Sequence, residues 1–162
     1  MQWSLVGSEM CIRDRPTSEG SISIQSADSS VPPKFFGNYL STRYDQKTMI
    51  SGMKLMRKLS ATDALQKIIH TEMSPGKDVK SDAELLEYAR LNGETVFHQC
   101  GTCRMGDDPA NSVVDGKLKV RGVYGLRVAD ASIFPTIPSG NINAPSIMVG
   151  EKVAELILQE NK

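Results

Sequence analysis

The chain has 162 residues, 40% apolar and 23% charged, with 19 Lys and Arg against 19 Asp and Glu. That length holds one hydrophobic core, and that composition excludes disordered and fibrous chains. A formal net charge of zero supplies no whole-molecule field to draw in nucleic acid or an anionic membrane, and no apolar run reaches the length of a bilayer span.

The three cysteines are an odd number in a chain this long, which argues against a disulfide framework and suits a reducing compartment, the cytoplasm. Association with the inner face of a membrane stays open. The opening "MQWSLVGSEMCIRDR" is too short and too broken by Glu9 and Asp14 for a signal peptide. It resembles a translated sequencing-adaptor read-through, with a mobile native terminus as the alternative. Residues 1–15, including Cys11, are therefore set aside as a non-native or disordered leader.

"SISIQSADSS" alternates, with Ile22 and Ile24 on one face of a short half-buried strand. Pro32-Pro33 turns "SSVPPKFFGNYLS" into an extended connector. From Asp45 the pattern becomes helical, with Met49, Met53 and Met56 in one stripe and Ile50 and Leu59 beside it. That stripe reads as core. A second helix follows Thr62, carrying Leu65, Ile68 and Ile69, and ends at Pro75-Gly76. Ser81 and Glu84 form a capping box that opens "DAELLEYARLN", closed by Gly93.

Beyond Gly93 the character changes. "TVFH" reads as a strand, "SVVDGKLKV" as a hairpin around Asp115-Gly116, and "LRVAD" as another short strand. "FPTIPSGNINAP" is an aperiodic loop. The last helix spans about Pro145 to Leu158, with proline in a first turn that has no use for its missing N–H. Its opening is apolar on most sides, which predicts burial of that end.

The chemistry concentrates in "FHQCGTCRMG". A zinc site wants four ligands, and His98, Cys100, Cys103 and a distant His70 are the whole supply. A thioredoxin-like pair needs Cys-x-x-C at a helix start, whereas this one runs into Gly and Pro. The bland reading makes His98 a satisfied interior histidine and both thiols apolar packers. A small metal-binding or thiol-redox module on His98, Cys100 and Cys103 is the alternative function, although we expect no metal.

"HQCGTCRMG" followed by "LRVADASIFPTIPSGNINAPSIMVGEKVAELI" resembles the C-terminal signature of the glucose–methanol–choline (GMC) family of flavin-dependent alcohol oxidoreductases, nearest to its choline dehydrogenase-like branch. The upstream "ISIQSADSSVPPKFFGNYLSTRYDQKTMISGMKLMRKL" is similar to that family's substrate-side region. The resemblance implies His98 as the base that takes the substrate hydroxyl proton while a hydride passes to flavin N5. It implies Asn143 as the second active-site position, Asp130 and Ala131 along the ribityl and pyrophosphate part of FAD, and Asn141, Ala144 and Pro145 beside the pyrimidine edge. Two departures stand out: Cys100 replaces a more usual valine, and Ile142 a frequent threonine.

The roles make chemical sense. Histidine titrates nearest to working pH of the ordinary side chains, and an amide donates to a developing alkoxide without titrating. Asn143 also reads as an N-cap, Asp130 as a turn residue bonding its own backbone, and Arg104 as a structural clamp.

The G-x-G-x-x-G fingerprint of dinucleotide binding does not occur. The expectation is therefore the C-terminal part of a longer α+β protein whose N-terminal Rossmann-like half is absent. Residues 16–92 are substrate-side sheet and helices. Residues 93–162 carry the active-site loops and the segment returning to the FAD domain. Alone, such a piece holds FAD weakly, is inactive, and exposes apolar surface along its last helix. Its substrate is choline or another primary alcohol, and its electron acceptor oxygen or a quinone-linked carrier.

Overall fold

The computed structural model describes residues 15–160. The leader expected at 1–15 lies outside these residues except for Arg15, which is exposed. The chain forms two compact units. One comprises residues 15–21 with Lys34–Val96, the other Ile22–Pro33 with residues 97–160.

In the first unit, helix α1 (Arg43–Ser60) starts where Thr42 accepts the Asp45 N–H at 3.2 Å. Helix α2 (Asp63–Gln66) is a single turn, shorter than the apolar spacing predicts, and Ile68 is left exposed. Helix α3 (Asp82–Asn92) has the expected capping box: Ser81 accepts from the Glu84 N–H, and Glu84 reaches back to the Ser81 N–H. Gly93 closes it through a bond to the Ala89 carbonyl, in an extended rather than left-handed conformation. A Cβ there would meet the Ala89 oxygen at 2.4 Å, so close approach selects glycine.

Helices α1 and α3 share a core of Leu40, Met49, Met53, Leu85 and Ala89. Two members of the methionine stripe are buried; Met56 sits at its edge. Full burial of Leu85 contributes about 1.5–3 kcal/mol.

Two polar clamps fix the loops around these helices. Asp45 is buried, and its carboxylate accepts from the Thr17 N–H and hydroxyl and from the Ser18 N–H at 2.8, 3.0 and 2.8 Å, and from the Ser18 hydroxyl. Burial opposes its charge, but these donors outweigh that and hold the acid below its ordinary value of 3.8. Arg57 donates three bonds to Glu72 (2.7–3.1 Å) and one each to the Val79 and Gly76 carbonyls (2.6 and 3.0 Å), tying down residues 72–79.

The strands are minimal. β1 (Ser21–Ser23) and β2 (Lys34–Phe36) form a two-stranded sheet. The burial expected of Ile22 and Ile24 fails, at 49% and 88% exposed, because among the described residues no layer covers that sheet. The stretch expected to be only a connector supplies β2.

In the second unit, "TVFH" is not a strand. Phe97 takes φ +60°, which breaks the extended path just before His98. "SVVDGKLKV" does turn at Asp115-Gly116, with single bridges Val114 to Val120 and Lys119 to Arg127 instead of ladders; "LRVAD" contributes only the latter. Asp115 Oδ1 holds the turn by accepting the Lys117 and Lys119 N–H groups at 2.8 and 3.0 Å.

Val114, Leu118, Ile133, Phe134 and Val149 form the second core. Helix α4 (Asn143–Glu160) begins two residues before the predicted start. Its opening is not buried: Val149 is, but Ile147 and Met148 are 60% and 57% exposed, because none of the unit's described residues lies over that side. No helix among the described residues is long and apolar enough to cross a membrane.

Candidate functional site

The loop carrying His98 is pinned to the segment 131–133, a turn of 3-10 helix. Cys103 N–H donates to the Ser132 carbonyl at 2.9 Å, and Met105 N–H to that of Ile133 at 2.8 Å. Gly101 takes φ +89°, where a side chain is disfavoured, and a Cβ would sit 3.3 Å from the Phe134 carbonyl; the chain turns just after it, at Thr102 and Cys103. These contacts set a short, tightly turned loop against the second core, with Cys100 packed on that core.

His98 Nε2 lies 2.9 Å from Asn141 Oδ1. With the amide oxygen accepting, Nε2 carries the proton; turning the amide over presents its NH2 to a bare Nε2. The other ring nitrogen, Nδ1, is buried and has no hydrogen-bond partner among the described residues.

The structure therefore joins His98 to Asn141, two positions before the asparagine to which the resemblance gives the second role. Asn143 is the exposed first residue of α4. It is not the N-cap either, since the first intrahelical bond runs from Ser146 N–H to the Ile142 carbonyl, making Ile142 the flanking residue. The signal that could have found Asn141 is its place before the helix, on a loop whose Gly140 leaves the backbone unhindered, with nothing within 4 Å of a Cβ there.

Asp130 caps the 3-10 turn by accepting the Ser132 N–H at 2.8 Å, so its turn role is realised. Ala131 is that turn's first residue. Ala144 and Pro145 stand second and third in α4, exposed and partly exposed. The hydroxyl of Ser132 is a second buried polar atom without a partner among the described residues.

This set suits a group with a polar, electron-accepting edge such as a flavin. A helix start offers the Asn143 and Ala144 N–H groups, which a first turn leaves without intrahelical acceptors, and its dipole favours negative charge. Two buried polar atoms, His98 Nδ1 and the Ser132 hydroxyl, have no partner among the described residues. Among the described residues, no three His, Cys, Asp or Glu side chains gather to hold a metal ion.

A family model described as GMC oxidoreductase, covering the C-terminal domain, matches residues 16–150. The alcohol dehydrogenase (acceptor) of Pseudomonas putida is 46% identical over 145 residues, 90% of this chain and 26% of that protein. An oxygen-dependent choline dehydrogenase of Klebsiella pneumoniae is 44% identical over 143 residues, 88% of this chain and 26% of its own. Among solved structures, pyridoxine 4-oxidase from Mesorbium loti superposes with a TM-score of 0.82 at 33% identity, covering 87% of this chain and 27% of that one. An FAD-dependent oxidoreductase from Chaetomium thermophilum does so with 0.83 at 28% identity, covering 91% and 26%. The chain thus spans about a quarter of the length of the relatives it matches.

Proposed function

The chain belongs to the GMC oxidoreductase family, and on that premise we propose that it is the catalytic C-terminal part of an FAD-dependent enzyme oxidising choline or another primary alcohol. The observation that carries this reading is the 2.9 Å contact between His98 Nε2 and Asn141. Oxidising an alcohol removes a hydroxyl proton together with a hydride, and the proton must have a positioned acceptor as the hydride leaves. His98 provides it. Asn141 takes the role that the resemblance gives to Asn143: its amide oxygen, accepting from Nε2–H, orients the imidazole with Nδ1 as the proton acceptor, while the amide NH2 stabilises the alkoxide without titrating.

FAD, when bound, supplies the hydride acceptor. Asn141, Ala144 and Pro145 would hold its pyrimidine side, with the start of α4 favouring negative charge there, and Asp130 and Ala131 its ribityl and pyrophosphate part. The main cradle for the ADP half belongs to the rest of the family fold. We assign that remainder as the partner covering Ile147 and Met148 on α4. Without it the chain holds FAD weakly and turns over no alcohol. Electrons leave to oxygen or a quinone-linked acceptor, and paired thiols in one loop favour a reducing compartment such as the cytoplasm.

The test joins this chain to a family N-terminal segment bearing the Gly-rich motif and follows anaerobic flavin bleaching by choline and simple primary alcohols. Rapid bleaching that collapses in His98→Ala supports the assignment. Bound flavin that no alcohol reduces, with His98 intact or replaced, refutes it.

A further inference from the structure

Helix α1 carries a charge pattern that its own fold does not use. In a chain of zero net charge, its 18 residues hold five cations, Arg43, Lys47, Lys54, Arg57 and Lys58, and one acid, Asp45. Asp45 is buried and committed to Thr17 and Ser18, and Arg57 is committed to the loop 72–79. The other four cations are exposed and fall within about 60° of one another around the axis, in a stripe about 22 Å long. The stripe is turned away from buried Met49 and Met53. Among the described residues, Lys54 alone of the four pairs with an acid, Asp82, in an exposed contact that contributes little.

Helix stability does not explain the stripe. A solvated face gains from opposite signs at i, i+4, whereas Arg43 with Lys47 and Lys54 with Lys58 set like charges there, which repel. Arg43 also opens the helix, where the dipole disfavours a cation. Beside the stripe runs a second strip of Tyr44, Leu55 and Leu59, with Tyr44 49% and Leu59 43% exposed. Cations bordered by half-exposed apolar side chains suit a bilayer surface. Its headgroups take the charges and a tyrosine ring, and its acyl boundary takes leucine. The outer face of a nucleic-acid backbone offers phosphate but nothing apolar. A straight helix also meets a plane along its whole length, and the lysine stems let their ammonium groups reach it.

We propose that this face of α1 docks the protein on an anionic phospholipid bilayer. The contact is peripheral, since no described helix is long and apolar enough to span one. It does not rest on the reading of His98 as the base.

The test sediments the full 162-residue chain with vesicles of phosphatidylcholine, alone or with about a third phosphatidylglycerol, in about 0.1 M salt. Binding is expected to the mixed vesicles and roughly tenfold or more weaker to the neutral ones, and it disappears near about 1 M salt, where screening is short-ranged. Each cation near an anionic surface strengthens binding roughly fivefold, so Arg43→Gln with Lys47→Gln and Lys58→Gln should weaken it about a hundredfold. Lys34→Gln with Lys77→Gln and Arg90→Gln removes the same charge from exposed positions outside α1, and should leave binding within about threefold. Leu59→Ser removes no charge and should weaken binding severalfold through the apolar strip. Circular dichroism checks the fold of every variant. Should the α1 triple variant not fold, Lys47→Gln and Lys58→Gln singly, each expected to weaken binding about fivefold, take its place. No binding to either vesicle, equal binding to both, or equal losses in the two triple variants would each overturn the proposal. So would equal affinity for a DNA duplex or soluble polyglutamate, which would make the stripe a general polyanion site.

Discussion

His98 and Asn141 stand 43 positions apart in sequence, yet the imidazole and the amide meet at 2.9 Å. Two loop devices hold the flanking chain: the turn at Thr102–Cys103, with the Cys103 and Met105 bonds to residues 132 and 133, and the early start of α4 at Asn143. It distinguishes two asparagines that the motif "GNINAP" offers almost interchangeably. In the joined protein, Asn141→Ala should lower the rate of flavin reduction on the order of a hundredfold, the usual scale for losing one polar group aimed at developing charge. Asn143→Ala should stay within about threefold, since that side chain is exposed at the helix start. Single-turnover reduction under anaerobic conditions reads both, and equal losses would move the second role back to Asn143.

Asp45 gives a pH dependence whose sign follows from its surroundings. Its carboxyl is held below 3.8 when folded, despite burial, by the Ser18 and Thr17 donors. A depressed acid stabilises the fold above its unfolded value and loses that contribution as pH falls through the folded one. Unfolding midpoints in urea should therefore fall as pH drops below about 4, and Asp45→Asn should flatten that dependence. At neutral pH the same substitution should cost about 2 kcal/mol, because a charged acceptor of several hydrogen bonds becomes a neutral amide in a buried place. A variant with the wild-type acid limb would place the titration elsewhere.

The elements legible in the sequence are those fixed by local chemistry. The capping box of Ser81 and Glu84, the methionine stripe and the turn at Asp115-Gly116 each need only a few neighbouring residues, and each appears. The elements that failed depend on distant chain. Alternation at Ile22 and Ile24 predicts a covered face, but cover comes from another layer, and the described residues supply none. Val96 to His98 read as a strand because propensity does not register the positive φ of Phe97. At the site, the motif singles out His98, and the side chain the structure sets beside it, Asn141, lies in an aperiodic loop where no periodicity chooses between it and Asn143.

Arg57 tests how one side chain organises a loop. Its guanidinium makes three bonds to the two carboxylate oxygens of Glu72 and reaches the Val79 and Gly76 carbonyls, a fork that an ammonium group cannot reproduce. Arg57→Lys should destabilise the first unit by about 1–3 kcal/mol while preserving charge. Amide exchange at Val79, whose N–H is bonded to the Gly76 carbonyl at 3.2 Å, should accelerate more than exchange in the middle of α1. Uniform acceleration through both would show a general loss of stability with no special role for the loop.

Under the proposed docking, Ile147 and Met148 separate what the chain needs for its own fold from what it offers to the remainder of the family architecture. Both side chains are more than half exposed on α4, whereas Val149 beside them is 4% exposed in the second core. In this chain by itself, Ile147→Ser with Met148→Ser should change stability by no more than about 0.5 kcal/mol, as for surface substitutions generally. Val149→Ala should cost about 1–3 kcal/mol through lost packing. In the joined protein the order should reverse for flavin retention: the double serine variant weakens docking of α4 and loses flavin on gel filtration, because apolar area meant to be covered stays hydrated. Thermal melts of the short chain and the flavin-to-protein absorbance ratio of the joined one supply the two readings. Retention of flavin by the double variant would assign the exposed face of α4 to something other than the rest of the family fold.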